Sequence, residues 1–217
     1  VCENPGNTLF VQPTIQMSTD IAMRFESTMQ ANQHLFKDKI KDKRARDSGN
    51  TKFDKAFPGG RLSFASAGSP SQLAARPIRN LLPDEIDRWP FSAGFEGSPL
   101  QIAEKRMSSF TFSKKEILTS SPTDELTSII DKEFHFSDQQ YWHFICPHCQ
   151  HESTAEWDNV KWQKVKEAYY ECPSCKNGIP NDDFKNAQLE GRWIALNGAF
   201  FLNHSRLFFI QILNQPL

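Results

Sequence analysis

Short apolar runs alternate with amphipathic and polar stretches over roughly the first two thirds of the chain. Thr8–Gln12 (Thr-Leu-Phe-Val-Gln), closed by Pro13-Thr14, predicts a buried strand. Ser18 then stands where a helix cap would, followed by Ile21, Ala22, Phe25 and Met29 on one helical face. Phe53–Phe57 and Arg61–Ala65 flank Pro58-Gly59-Gly60 and predict a hairpin around a glycine turn. Ser69-Pro70 and Ser98-Pro99 each open a short helix with proline at its first position. The second of these has Leu100, Ile102, Ala103 and Met107 as apolar contacts.

Two more apolar runs, Ile78–Leu82 and Glu116–Thr119, predict strands. The first runs into Asp84-Glu85 and the second into Ser120-Ser121-Pro122-Thr123. Asp124 and Glu125 are expected to begin a helix through Ile129, Ile130 and Phe134, acidic at its positive end. Strands alternating with helices argue an α/β sheet, whose chemistry collects at the carboxyl ends of its strands. Asp84-Glu85 and Ser120–Thr123 are both expected there. The pair suits nucleotide hydrolysis: one carboxylate can hold Mg²⁺ on the phosphates while its neighbour orients or deprotonates the attacking water.

From Tyr141 the character changes. Cys146-Pro147-His148-Cys149 and Cys172-Pro173-Ser174-Cys175 form two knuckles around a loop carrying Trp157, Trp162 and Tyr169. Two residues between thiolates let one tight turn present both sulfurs to a tetrahedral ion. Two such turns close a structural four-thiolate Zn²⁺ site, although the gap between them is slightly longer than the usual zinc-ribbon range. His148 and His151 are expected to be exposed, since four cysteines already fill the shell. The apolar but interrupted tail Phe200–Leu213 reads as buried strand material.

Composition narrows the picture modestly. The 217 residues suit one large domain, or one domain plus a small module. A net charge of -1 provides no broad basic footprint for nucleic acid, so any DNA contact must be local. The charged stretch Lys37–Arg46 is a solvated loop or a patch against a phosphate backbone. No apolar run reaches membrane-spanning length and no signal-peptide pattern opens the chain, which favours metal binding over disulfides for the cysteine pairs. Cys2 is expected to be an inert thiol. The chain begins at Val1 and ends at Gln215-Pro216-Leu217, and is expected to be a piece of a longer protein.

Eight segments, in this order, resemble the large-subunit terminase of tailed phages, specifically the lambda-like family whose ATPase domain carries a cysteine insertion. They are Val11-Gln12-Pro13-Thr14, Phe57-Pro58-Gly59-Gly60, Ser69-Pro70-Ser71-Gln72-Leu73, Asp84-Glu85-Ile86-Asp87, Glu96-Gly97-Ser98-Pro99, Ser120-Ser121-Pro122-Thr123, Cys146-Pro147-His148-Cys149 and Gly191-Arg192-Trp193. The resemblance implies an α/β fold, a P-loop NTPase-like, mostly parallel and incomplete sheet with a small zinc-ribbon-like module. It divides the chain into a partial ATPase domain (1–140), a four-cysteine zinc-binding module (141–180) and a return segment (181–217) toward a nuclease domain.

The same resemblance implies an ATP-driven motor that moves double-stranded DNA into a procapsid in the bacterial host cytoplasm, and whose nuclease domain cuts it. Its partners would be the terminase small subunit, the portal protein and further copies of itself, with no membrane. Asp84 falls on the Walker B aspartate that binds Mg²⁺, and Glu85 on the glutamate that activates water. Ser121 and Thr123 fall in the motif that couples the ATP γ-phosphate to DNA movement.

There are departures. No G-x-x-x-x-G-K-[ST] phosphate loop occurs in the chain, and it is expected upstream of Thr8, so this stretch alone is expected to bind ATP poorly, to be inactive and to be marginally soluble. Pro83 stands where the family usually has an apolar residue and is expected to shorten the strand, and Ser121 replaces the more usual threonine. Alternative readings are a nucleic-acid helicase-like ATPase fragment and a non-catalytic zinc-ribbon DNA-binding module or prophage remnant. Arg76 and Arg79 are candidates for an arginine finger.

Overall fold

A computed structural model describes residues 5–36, 39–40, 49–124, 127–162, 168–196 and, for the backbone, 206–210. Most of Lys37–Arg46, Cys2, Glu125 and most of the Phe200–Leu213 tail lie outside the described residues. In chain order the elements are β1 (Thr8–Gln12), α1 (Ile15–Ala31), α2 (Gln33–Phe36), β2 (Asp54–Phe57), β3 (Gly60–Ser66), α3 (Pro70–Leu73), β4 (Asn80–Pro83), α4 (Pro99–Lys105), β5 (Lys115–Ser120) and α5 (Ile129–His135). Then follow β6 (Gln140–Ile145), β7 (Glu152–Thr154), β8 (Val160–Lys161), β9 (Tyr169–Glu171), β10 (Gly178–Pro180), α6 (Asn181–Leu189), β11 (Arg192–Ala195) and β12 (Arg206–Ile210). The chain divides between Glu133 and Phe134 into two compact units, and β12 returns to the first.

The first unit is built on a six-stranded sheet of order β12-β5-β4-β1-β3-β2. Neighbours from β12 to β3 run parallel, and β2 folds back antiparallel on β3 as the edge of the hairpin. The apolar runs read as strands because both faces are covered, which is the pattern of a parallel sheet under helices. Leu9, Val11, Ala65, Leu81 and Leu118 point to one face and pack with Leu73, Ile102, Ala103, Met107 and Ile130. Leu62 and Phe64 point to the other, where Ala22, Ile21 and Phe25 of α1 and the aromatic rings Phe10 and Phe57 cover them. The expected mostly parallel α/β sheet is present.

Helix α1 corrects one expectation. Its cap is Thr14, in extended conformation, whose side chain accepts from the Met17 amide at 3.2 Å. Ser18 lies inside the first turn and is fully buried. Its hydroxyl donates to the carbonyls of Thr14 (3.0 Å) and Ala65 (2.7 Å), so it fastens the helix to β3 instead of starting it. The α5 start is also corrected: the helix begins at Ile129, and Asp124 lies in the irregular segment before it. Pro83 does not shorten β4, which runs through it with Pro83 paired to Val11.

The β2–β3 turn has a steric requirement. Gly59 has φ +87°, and a Cβ on Gly60 would lie 2.5 Å from the backbone carbon and oxygen of Gly6. Backbone cannot rotate away as a side chain can. Gly60→Ala is therefore expected to cost about 1–3 kcal/mol and to lower the melting temperature by several degrees. A variant that melts with the parent would contradict this packing.

The second unit is two small antiparallel sheets, β11-β6-β7 and β10-β9-β8. Among the described residues its core is Phe144, Cys146, Tyr170, Cys172 and Ile179, with Phe184 and Ala187 of α6 packed against it. Tyr170 stacks on Phe184 at 4.4 Å, and Phe144 meets both rings edge-on. The Tyr170 hydroxyl donates to the Thr154 carbonyl and accepts from the Glu156 amide, which ties the chain between the knuckles to this core.

Candidate functional site

Asp84 follows the last residue of β4, at the carboxyl end of a strand flanked by β1 and β5. Its amide donates to the Val11 carbonyl at 3.0 Å, and it forms a parallel bridge with Thr119. Because the Asp84 amide faces β1, strand alternation turns the nitrogen of Pro83 toward β5, where the ladder skips from Leu81–Glu116 to Asp84–Thr119. The Thr119 hydroxyl spans this gap, lying 3.3 Å from the Pro83 carbonyl and donating to Asp84 Oδ1 at 2.6 Å. On the other side, buried Gln12 donates through Nε2 to Asp84 Oδ2 at 2.7 Å. One residue from each flanking strand thus fixes the carboxylate, and each oxygen retains a lone pair for a further partner. In the sequence Gln12 and Thr119 carry no role of their own. A polar residue at the last position of an otherwise apolar run was the available signal.

Glu85 adopts the left-handed conformation, φ 53° and ψ 47°. For a residue with a Cβ this costs about 1–3 kcal/mol and persists where surrounding contacts over-determine it. Those contacts are present. Ile86 is buried, the Trp89 indole donates to the Asp84 carbonyl at 2.9 Å, and the Arg88 amide donates to the Glu85 carbonyl at 2.9 Å. Glu85 Oε2 is shielded from solvent and, among the described residues, accepts no hydrogen bond. Arg88 Nε lies 3.4 Å from it without hydrogen-bond geometry, and the Arg88 side chain is largely exposed, so the pair is a weak one.

Thr123 is bound to a third carboxylate, that of Asp87. Asp87 Oδ2 accepts from the Thr123 amide (3.1 Å) and lies 3.4 Å from its hydroxyl. Asp87 Oδ1 accepts from the Ile129 and Ile130 amides at 2.8 and 2.9 Å, capping α5. The Asp87 amide in turn donates to the buried Ser120 hydroxyl at 3.1 Å, and that hydroxyl donates to the Ser121 carbonyl at 3.2 Å. In the sequence Asp87 belongs to the acidic motif without a role of its own. Arg79 is committed at the amino end of β4, donating to the carbonyls of Ser113 and Pro5, each at 3.0 Å. Arg76 lies 3.8 Å from the Asp54 carboxylate.

In the second unit Cys146, Cys149, Cys172 and Cys175 bring their sulfurs within 4.8 Å of one another, a grouping that could hold a metal ion. Cys146 and Cys175 are 4.0 Å apart and Cys149 and Cys172 3.7 Å apart. Four sulfurs at about 2.3 Å around one tetrahedral ion stand about 3.8 Å from each other. The two knuckles are built alike. The Gln150 amide donates to the Cys146 carbonyl and the Cys146 amide to His151; the Lys176 amide donates to Cys172 and the Cys172 amide to Asn177. Gln150 and Lys176 occupy the same left-handed position, with φ 62° and 60°. His148 and His151 are exposed, as expected.

Burial pushes Cys172 up, but hydrogen bonds from the Cys175 and Ser174 amides and from neighbouring thiols outweigh it and bring the group to about 7. At Cys175 the Asn177 amide acts downward, but burial and the other three sulfurs prevail and raise it to about 11.

The chain matches the family model described as the phage terminase large subunit gpA, ATPase domain, over residues 1–193. No curated protein and no solved structure matches it.

Proposed function

This chain belongs to the phage terminase large subunit gpA ATPase-domain family, a part of phage DNA-packaging motors, and we propose that Asp84 and Glu85 form the cation- and water-directing half of its ATP-hydrolysing site. The observation that carries this reading is the held carboxylate of Asp84 at the end of a central parallel strand, followed directly by the strained Glu85. Asp84 supplies hard oxygen ligands, which suit Mg²⁺ bound through one carboxylate and substrate phosphates. When bound, Mg²⁺ offsets charge on the β- and γ-phosphates. Gln12 and Thr119 keep the Asp84 carboxylate aimed, and Glu85 orients water for in-line attack and takes its proton. Ser121 and Thr123 lie on the loop that answers to the γ-phosphate.

In this reading Cys146, Cys149, Cys172 and Cys175 hold a structural Zn²⁺, the sulfur set being full and leaving no open position for substrate. ATP hydrolysis is coupled to translocation of double-stranded DNA into a procapsid, with small subunit, portal protein and further copies of the chain as partners in the host cytoplasm. A nuclease function belongs to the parent protein. Among the described residues no helix is long and apolar enough to cross a membrane.

The test is Mg²⁺-dependent ATP turnover of the full-length protein, with and without double-stranded DNA. DNA-stimulated turnover that Asp84→Ala abolishes supports the assignment; turnover that survives Asp84→Ala overturns it.

Zinc affinity should also depend on pH. Each ligand binds as a thiolate, so loading the ion displaces the protons that the metal-free cluster retains, those of Cys175 above all. Apparent affinity is therefore expected to rise between about pH 6 and pH 8, as measured by chelator competition. Equal affinity at both ends would contradict four-thiolate binding.

A further inference from the structure

We infer that Asp87 is a positioning residue for the hydrolytic site, holding Glu85 in register with the Ser120–Thr123 loop and with α5. This rests on the assignment of Glu85 above. Two things need explaining, and Asp87 accounts for both. The first is what holds the turn that follows the left-handed Glu85 against the rest of the unit. The segment after it is a single 3-10 turn, Ile86–Arg88, that needs anchoring at its far side. Asp87 sits within that turn, and both its main chain and its side chain are bound outside it.

The second is what fixes the loop after β5, which has no regular structure between Ser120 and Ile129 among its described residues. Asp87 reaches across 36 residues to the Thr123 amide and hydroxyl and across 42 and 43 residues to the amides that open α5. Its own amide closes the circuit on Ser120. One carboxylate therefore binds the turn, the loop and the start of α5 together. A displacement of the loop or of α5 must drag the turn that carries Glu85, and a movement of Glu85 must drag the loop.

The two oxygens can be separated by mutation. Asp87→Asn can keep one acceptor for Ile129 and Ile130 but turns an NH₂ toward the Thr123 amide, placing donor against donor. In the full-length protein kcat for ATP is expected to fall roughly 10–100-fold, the loss associated with a small misplacement of a catalytic group. KM, zinc content and melting temperature should stay near those of the parent. The Thr123 amide should exchange hydrogen faster, while those of Ile129 and Ile130 stay protected. Faster exchange with unchanged kcat reduces Asp87 to a structural cap and overturns the inference, as does unchanged exchange. Should Asp87→Asn fold poorly, Asp87→Glu, which retains the charge one methylene farther out, gives the same comparison. Glu85→Gln serves as the separate control. If turnover survives that change, the assignment of Glu85 fails, and the amide exchange still decides whether Asp87 ties the three segments.

Discussion

Replacing Glu85 by glutamine in the full-length protein is expected to lower ATP turnover by about 10²–10⁴-fold, the usual contribution of a positioned general base. Fold and nucleotide binding should be little changed. Glutamine has the shape of glutamate but cannot accept the proton of the attacking water. The change is also structurally mild at this position. Among the described residues Glu85 Oε2 accepts no hydrogen bond, and Arg88 beside it has an exposed side chain that water can solvate. Both residues have a Cβ, so the cost of the left-handed backbone is the same before and after. Steady-state kcat and KM, measured with a melting curve, separate these effects. Turnover that survives the substitution would sink the proposed role of Glu85.

Loss of one sulfur is expected to unfold the second unit while the six-stranded sheet persists. In Cys172→Ala the deleted group lies in the core itself, since Cys146 and Cys172 are two of its five described buried members. The remaining three, Phe144, Tyr170 and Ile179, contribute about 1.5–3 kcal/mol each by burial. Structural zinc in small domains supplies about 10–16 kcal/mol at neutral pH. The apolar core therefore cannot replace the ion. Metal content should fall below one zinc per chain, and the near-ultraviolet signal of the Tyr170–Phe184 stack should vanish, as on treating the parent with a strong chelator. Full zinc content, or a native aromatic spectrum after chelation, would overturn the four-thiolate centre.

Much of the fold could be read locally. β1, the β2–β3 hairpin, β5 and the proline-opened helices α3 and α4 follow from apolar runs and from proline and glycine at turn positions. The cysteine knuckles follow from spacing alone, because a two-residue gap closes one turn whatever surrounds it. Helix starts were less secure. Thr14 and Ser18 both suit a cap, and the choice depends on the Ala65 carbonyl, which draws the Ser18 hydroxyl into the sheet. The acidic residues before Ile129 suggested an earlier start to α5, whereas the carboxylate that caps it comes from Asp87.

By itself, then, the amino-acid sequence determined strands β1 to β5, the place of Asp84-Glu85 at a strand end and the pairing of the cysteines, since each depends on neighbours within a few positions. The tertiary structure alone decided the left-handed turn at Glu85, the grip of Gln12 and Thr119 on Asp84, and the reach of Asp87 to Thr123 and α5. The contacts of Asp84 and Asp87 join residues 35 to 72 positions apart. Their energies exist only once β1, β4 and β5 lie side by side, so no local pattern in the chain carries them.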